Sequence, residues 1–203
     1  MNEIGMNHYI EAAFAHFDEY NKQDPNIVHW EGTDYPQEYF LAIKLFDWIV
    51  KLSPNAGEAL LLASRAQHIG RWEIPRHAFP LDKPGYLLWR KTLAAHHAEK
   101  ARGILSKLGF SDTVIDEVEE IILKKKLKVN PSVQTMENAL CLVFLEYQYE
   151  DFFPKHREKI VHILKKSLLK MDAQGHRFAL TLSYSDEGIG YIEEALAQLG
   201  TKN

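Results

Sequence analysis

Polar side chains that could do chemistry are concentrated at the end of one apolar stretch. Residues 60–66 are rich in Leu and Ala, which predicts a buried helix, and Gly70 and Pro75 predict its end. Burying polar groups costs free energy unless they are paired or used, so their clustering favours a functional site. The alternative is that carboxylates and backbone carbonyls satisfy each one within the fold. The clustered residues are Arg65, Gln67, His68, Arg71, Trp72 and Arg76.

Histidines and carboxylates on different predicted helices could together bind a divalent metal ion. His97 lies on the predicted core face of a long helix, and Glu38 begins the core face of another. Imidazole and carboxylate are common ligands of divalent metals. No pair has a compact spacing such as HExxH, and the alternative for His97 is a core histidine satisfied by hydrogen bonds. The predicted metal ligands are Glu38, His68, His97, Glu137 and Asn138, and the predicted catalytic residues are Glu38, His68 and His97.

Several arginines in and near the same stretch could bind phosphate. A guanidinium gives bidentate, charge-assisted hydrogen bonds to a phosphate group, and a neighbouring tryptophan could stack on a base or cover the pocket. The alternative is that these arginines pair with carboxylates such as Glu73 and Asp82 and that the tryptophans belong to the core. The predicted substrate-binding residues are Arg65, Gln67, Arg71, Trp72, Arg76 and Arg90.

Helical spacing recurs along almost the whole chain and strand alternation is scarce, which predicts an all-α fold. Residues 21–35 and 73–85 contain Pro and Gly and are predicted to be loops. Between them, a helix is expected to begin at Pro36, which suits a first turn. Further helices are expected over about residues 4–20, 56–68, 86–108, 112–122, 131–146, 155–170 and 186–199.

Composition narrows the class of protein. The chain has 203 residues, of which 46% are hydrophobic, so it can bury one sizeable core. A formal net charge of −4 argues against a general nucleic-acid binder. The only cysteine, Cys141, has apolar neighbours, which favours a reducing compartment. The sequence shows no signal peptide and no apolar run that approaches ~20 residues. We therefore expect a cytoplasmic protein without a membrane partner. The sequence leaves the oligomeric state open.

The segment Ala66-Gln67-His68-Ile69-Gly70-Arg71-Trp72 resembles the HD-domain signature, in which an apolar helix ends in His-Asp-Ile-Gly-(Lys/Arg). The downstream order is similar too, because His97 falls where that family has a histidine on the following helix. This chain departs from the family at several ligand positions. Gln67 and Glu38 occupy positions where the family has His, and His68 and Asn138 occupy positions where it has Asp. Such a set implies either a rebuilt metal site or a lost one.

HD domains are all-α, metal-dependent phosphohydrolases that act on nucleotides and other phosphate esters. The resemblance therefore implies a divergent phosphohydrolase with a divalent metal cofactor and a small phosphorylated substrate, such as a nucleotide. The alternative is a catalytically degenerate HD fold that binds a phosphorylated ligand or a partner protein. The sequence contains no internal repeat, linker or low-complexity segment, which predicts one domain over residues 1–203. The resemblance implies an HD-like core over about 36–150, with C-terminal helices over about 151–203.

A second resemblance covers nearly the whole chain. The longest matching stretch is residues 67–76, Gln-His-Ile-Gly-Arg-Trp-Glu-Ile-Pro-Arg, and shorter matches lie at residues 36–38, 85–90 and 142–146. On these motifs the chain resembles the family of the domain of unknown function DUF4202. That family usually reads Glu-Asp where this chain has Glu137-Asn138. The difference removes one charge from the predicted metal site, which would weaken metal binding.

Overall fold

Helices make up almost all of the regular structure, which confirms the predicted all-α fold. The computed structural model describes residues 8–200. The chain divides into two compact units, Met1–Lys125 and Lys126–Asn203, and their described parts contain five α-helices each. The first unit also holds a two-stranded sheet. This division falls before the sixth helix, whereas the sequence places the end of the core near residue 150. The single domain over residues 1–203 stays a prediction.

The helices and strands of the first unit are α1 (His8–Asn21), β1 (Ile27–Trp30), β2 (Thr33–Pro36), α2 (Gln37–Leu52), α3 (Glu58–Ala66), α4 (Lys83–Lys107) and α5 (Asp112–Ile122). Helix α3 packs against α1, α2 and α5, and α4 in turn packs on α5. Residues Leu62, Ala63 and Ala66 of α3 have no exposed surface, as the Leu- and Ala-rich sequence predicts.

A β-hairpin occupies part of the predicted loop between α1 and α2. Strands β1 and β2 pair antiparallel, with Trp30 opposite Thr33. The two turn residues, Glu31 and Gly32, both have positive φ, 47° and 79°, as a type I′ hairpin turn requires. Residues 1–7, which include the start of the predicted first helix, lie outside the described residues.

The turn after α3 brings residues 71–76 back against α4. Gly70 has φ of +67°, a left-handed conformation that favours glycine. A Cβ at this position would lie 2.8 Å from Cε of Lys100, so the backbone here also passes close to α4. Glu73 then fixes the turn through Lys100 Nζ at 3.0 Å and His96 Nε2 at 2.9 Å. Two short 3-10 helices follow the turn, Arg71–Glu73 and Arg76–Ala78.

The helices of the second unit are α6 (Pro131–Tyr147), α7 (Tyr149–Phe152), α8 (Ile160–Leu168), α9 (Ala173–Ala179) and α10 (Asp186–Gly200). Helix α10 packs on α8, and α9 packs on α6. The predicted helix over 155–170 is shorter than expected, because 3-10 turns at Phe153–Lys155 and Arg157–Lys159 precede α8. None of the helices in residues 8–200 is long and apolar enough to cross a membrane.

Candidate functional site

A pocket in the first unit lies at the C-terminal ends of α3 and α5 and beside α4. Its volume is about 210 Å³. The turn after α3 contributes three of the lining residues, α4 contributes five, and the end of α5 contributes three. The polar residues that line the pocket are Gln67, His68, Arg71, Arg90, Lys91, His97 and Lys124.

Positive charge dominates the pocket. Two arginines, two lysines and two imidazoles line it, and no carboxylate does. Among residues 8–200, neither Arg90 nor Lys91 forms an ion pair, and both are exposed. Their charges are therefore available to a ligand, and a pocket of this kind favours an anion.

Glu38 lies behind the pocket, next to two of the residues that line it. Its side chain is 3% exposed, with Oε1 3.6 Å from Arg71 Nε and Oε2 3.8 Å from His68 Nδ1. Both distances are too long for hydrogen bonds, and Oε2 has no hydrogen-bond partner. Burial raises the pKa of Glu38 to about 7, although the charge of Arg71 opposes the shift. Near neutral pH the carboxyl group is therefore populated in both its protonated and its ionised form.

His97 is buried in the pocket wall with one ring nitrogen left unpartnered. Its Nδ1 lies 2.7 Å from the carbonyl oxygen of Ile69, so Nδ1 donates the hydrogen and Nε2 carries a lone pair. Nε2 is buried without a hydrogen-bond partner. Burial, together with the charge of Arg71, lowers the pKa of His97 to about 4. The imidazole is thus neutral at neutral pH and could accept a proton.

His68 and Gln67 complete the floor of the pocket from the end of α3. The His68 ring centroid is 5.7 Å from that of His97. Enclosure by protein atoms and the charge of Arg71 lower the pKa of His68, although 32% of its side chain remains exposed. Gln67 Nε2 donates to the carbonyl oxygen of Ile122 at 3.3 Å, which ties the end of α3 to the end of α5. The Gln67 Oε1 atom has no hydrogen-bond partner.

Three predicted substrate-binding residues do not line this pocket. Arg65 Nη1 lies 3.0 Å from both carboxylate oxygens of Asp18, so its guanidinium joins α3 to α1. The Trp72 ring packs on Tyr20, with centroids 5.8 Å apart. Arg76 donates to the Phe79 carbonyl oxygen at 3.0 Å. These contacts agree with the alternative that some of the clustered polar residues serve the fold.

The predicted ligands of the second unit are held by partners within that unit. Glu137 is buried, and its Oε1 lies 3.3 Å from Lys170 Nζ. Asn138 is 1% exposed. Its Nδ2 donates to Asp172 Oδ1 at 2.9 Å, and its Oδ1 accepts from the backbone N–H of Asp172 at 3.1 Å and from Gln134 Nε2 at 3.1 Å. These bonds give Asn138 a structural role, and its role as a metal ligand stays a prediction.

The residues of the pocket fit an anion better than a metal cation. Within residues 8–200, no three or more His, Cys, Asp or Glu side chains are grouped so that they could hold a metal ion. The carboxylate of Glu38, which is close to Arg71, is partly protonated near neutral pH. Surrounding cations also oppose the approach of a divalent cation. The divalent metal cofactor stays a prediction from the sequence.

Two lysines of the pocket were not among the predicted site residues. Lys91 follows Arg90 directly, and Lys124 follows the end of α5, where its backbone adopts a left-handed φ of 55°. The run Lys124-Lys125-Lys126 is typical of a solvated helix end, so its sequence gives no sign of a pocket. The sequence does give a signal for Lys91, because Lys91 directly follows Arg90, which was predicted to bind phosphate.

In a comparison with protein families, the family model described as Domain of unknown function (DUF4202) matches residues 11–192, which is most of the chain. Comparison with curated proteins and comparison with solved structures give no match. The resemblance to HD domains therefore stays a prediction, whereas the second resemblance is confirmed. The chain belongs to the DUF4202 family.

Proposed function

We propose that the pocket of the first unit binds the phosphate group of a small phosphorylated molecule. One observation carries the proposal: Arg71, Arg90, Lys91 and Lys124 meet at a pocket that no carboxylate lines. Arginine suits this ligand because its planar guanidinium donates two parallel hydrogen bonds to a phosphate. The unpartnered Gln67 side-chain oxygen could accept a hydrogen bond from a hydroxyl group of the same ligand.

The size of the pocket limits the ligand. Its volume of about 210 Å³ is below the range of about 300–1,000 Å³ for sites that enclose a drug-sized ligand. We expect the phosphate and its immediate neighbours to enter and the rest of the molecule to project outwards. Aromatic rings lie in the vicinity, because the Arg71 guanidinium is 5.4 Å from the Trp89 ring centroid and Tyr86 packs 5.9 Å from Trp89. Such rings would suit the base of a nucleotide.

Hydrolysis of the bound phosphate ester, the activity that the resemblance to HD domains implies, is the second candidate. The observation that favours it is the buried, unpartnered Nε2 of His97, because a neutral imidazole can take a proton from an attacking water. A bound phosphate would raise the pKa of His97 from about 4 towards neutrality, since negative charge stabilises imidazolium. As the water oxygen bonds to phosphorus and the P–O bond to the leaving group breaks, the proton taken up by His97 would pass to the leaving oxygen, which regenerates the neutral imidazole.

The binding proposal can be tested with Arg90→Gln. Arg90 lines the pocket, is exposed and forms no ion pair in the described residues, so its loss should leave stability nearly unchanged. Calorimetric titrations would use inorganic phosphate, a nucleoside monophosphate and a sugar phosphate. We expect Arg90→Gln to weaken binding of the tightest ligand by about 1.5–3 kcal/mol, the range for a charged hydrogen bond.

The matched control is Lys107→Gln, which removes another exposed cation of α4 that does not line the pocket. It should bind like the wild type. Equal affinities for Arg90→Gln and wild type would contradict the proposed site. Phosphate release would then separate the two candidate functions. A hydrolase loses turnover but keeps binding in His97→Asn, which retains a donor for the Ile69 carbonyl, whereas a binding protein releases no phosphate in either form.

A further inference from the structure

Four large apolar side chains are exposed at the beginning of α4. Leu81 is 86% exposed, Leu87 56%, Leu88 54% and Tyr86 44%. Leu87 and Leu88 are neighbours on the exposed surface of the helix, and we refer to these two residues as the α4 apolar patch. Neighbouring apolar side chains that are exposed to solvent mark interaction sites.

The start of α4 is held in place by the turn that precedes it. Gly85 is buried, and a Cβ at its position would overlap the backbone carbonyl of Pro80. The turn therefore packs directly on the first turn of α4. Asp82 caps the helix, since its Oδ1 accepts from the backbone N–H of Gly85 at 2.8 Å. The α4 apolar patch is thus a fixed surface of the fold.

Basic side chains flank the α4 apolar patch on both sides along the helix. Lys83 precedes Leu87 by four residues and Lys91 follows it by four, so both are its neighbours on the helix surface. Residues 71–91 contain five Lys and Arg against two Asp and Glu, although the whole chain carries a net charge of −4. The two acidic side chains are already engaged, Glu73 by Lys100 and Asp82 by the helix end.

We propose that the α4 apolar patch docks on the surface of an anionic phospholipid bilayer. Exposed leucines between lysines suit the boundary between acyl chains and headgroups, where the apolar groups insert and the ammonium groups reach anionic lipids. A second copy of the chain suits the surface less well. Docking patch to patch would bring Lys83 and Lys91 of one copy close to Lys83 and Lys91 of the other, and like charges repel. Binding at the surface needs no membrane-spanning helix, and it goes beyond the phosphate pocket.

Vesicle flotation tests the proposal. The full chain would be mixed with vesicles of phosphatidylcholine alone or with roughly one third phosphatidylserine. We expect wild type to bind the anionic vesicles and to lose binding as salt is raised. Leu87→Ser/Leu88→Ser should weaken the partition coefficient by about tenfold or more, since each exposed leucine would otherwise insert. Lys83→Gln, which leaves the pocket residue Lys91 in place, should weaken it about fivefold at low salt.

A matched control keeps the effect specific to the α4 apolar patch. Leu180 in the second unit is 50% exposed, close to the 54% of Leu88. Leu88→Ser should weaken vesicle binding severalfold and Leu180→Ser should leave it unchanged. The Leu87→Ser/Leu88→Ser variant should also titrate with inorganic phosphate as the wild type does, so that failure of docking and failure of the pocket are told apart.

Three outcomes would overturn the proposal. The first is that wild type binds neither kind of vesicle, and the second is that it binds both equally. The third is that Leu88→Ser and Leu180→Ser behave alike. Wild type could also fail to bind vesicles but form a dimer in sedimentation equilibrium. If Leu87→Ser/Leu88→Ser abolishes that dimer, the patch binds a second copy of the chain and not a bilayer.

Discussion

Replacing Glu38 by Gln should make the protein more stable relative to the wild type as the pH rises. The pKa of Glu38 is raised from 4.5 to about 7 in the fold. A raised carboxyl pKa stabilises the fold below pH 4.5, and this contribution is lost as the pH rises through 7. Glutamine cannot lose a proton, so Glu38→Gln keeps its stability over this range. Between about pH 5 and pH 8 the difference from wild type should grow by about 2–3 kcal/mol in urea unfolding.

His97→Asn provides a control, because its stability relative to wild type should change with pH in the opposite direction. The folded pKa of His97 is about 4, below its ordinary value of 6.5, so its contribution is complete above pH 6.5 and is lost as the pH falls towards 4. Relative to wild type, His97→Asn should therefore gain about 2 kcal/mol as the pH falls from about 8 to about 5. Parallel pH profiles for the two variants would contradict the described protonation states.

Asn138→Asp should destabilise the second unit by about 3 kcal/mol near neutral pH. The Nδ2 of Asn138 donates to Asp172 Oδ1 at 2.9 Å, and Asn138 is 1% exposed. An aspartate would replace this donor by a second carboxylate and leave a buried, unpaired charge, which costs roughly 3–5 kcal/mol in comparable cases. Acidification should restore part of the loss, because one proton shared by the two carboxyl groups relieves the repulsion. Urea unfolding at neutral and at acidic pH measures both effects.

Asn130→Asp is the matched control on the same helix. Asn130 caps α6, with Oδ1 accepting from the backbone N–H of Ser132 at 2.9 Å, and aspartate caps a helix about as well as asparagine. Its stability should stay close to the wild-type value. The predicted metal ligand leads to a different result for Asn138→Asp, namely tighter binding of divalent metal without destabilisation. A stable, metal-binding Asn138→Asp would contradict the structural role of Asn138.

Helices with long apolar faces could be predicted from the sequence, and short elements could not. Helix α4 was expected over 86–108 and covers Lys83–Lys107, because its spacing repeats over many turns. The hairpin of β1 and β2 has four residues in each strand, too few for alternation to stand out, and its turn reads as an ordinary loop. Helix α9 has seven residues, which make only two helical turns, too few for a helical spacing of apolar residues to be recognised.

The candidate site could be predicted in part, because local clustering is visible and long-range pairing is not. Gln67, His68 and Arg71 follow one another at the end of α3, and the inward position of His97 follows from helical spacing. The partner of Arg65 could not be predicted, since Asp18 lies 47 residues away. Lys124 joins the pocket only because α5 ends beside α3, and that position depends on the packing of the whole unit.

The central claim, that the pocket binds phosphate, is tested most directly by NMR of the histidine rings during a titration with inorganic phosphate. We predict that the ring resonances of His68 and His97 shift together and saturate. The pKa of His97 should also rise from about 4, because a bound anion stabilises imidazolium. Exposed His29 and His77 serve as internal references and should not shift. Shifts confined to the exposed histidines, or an unchanged pKa of His97 at saturating phosphate, would contradict the claim.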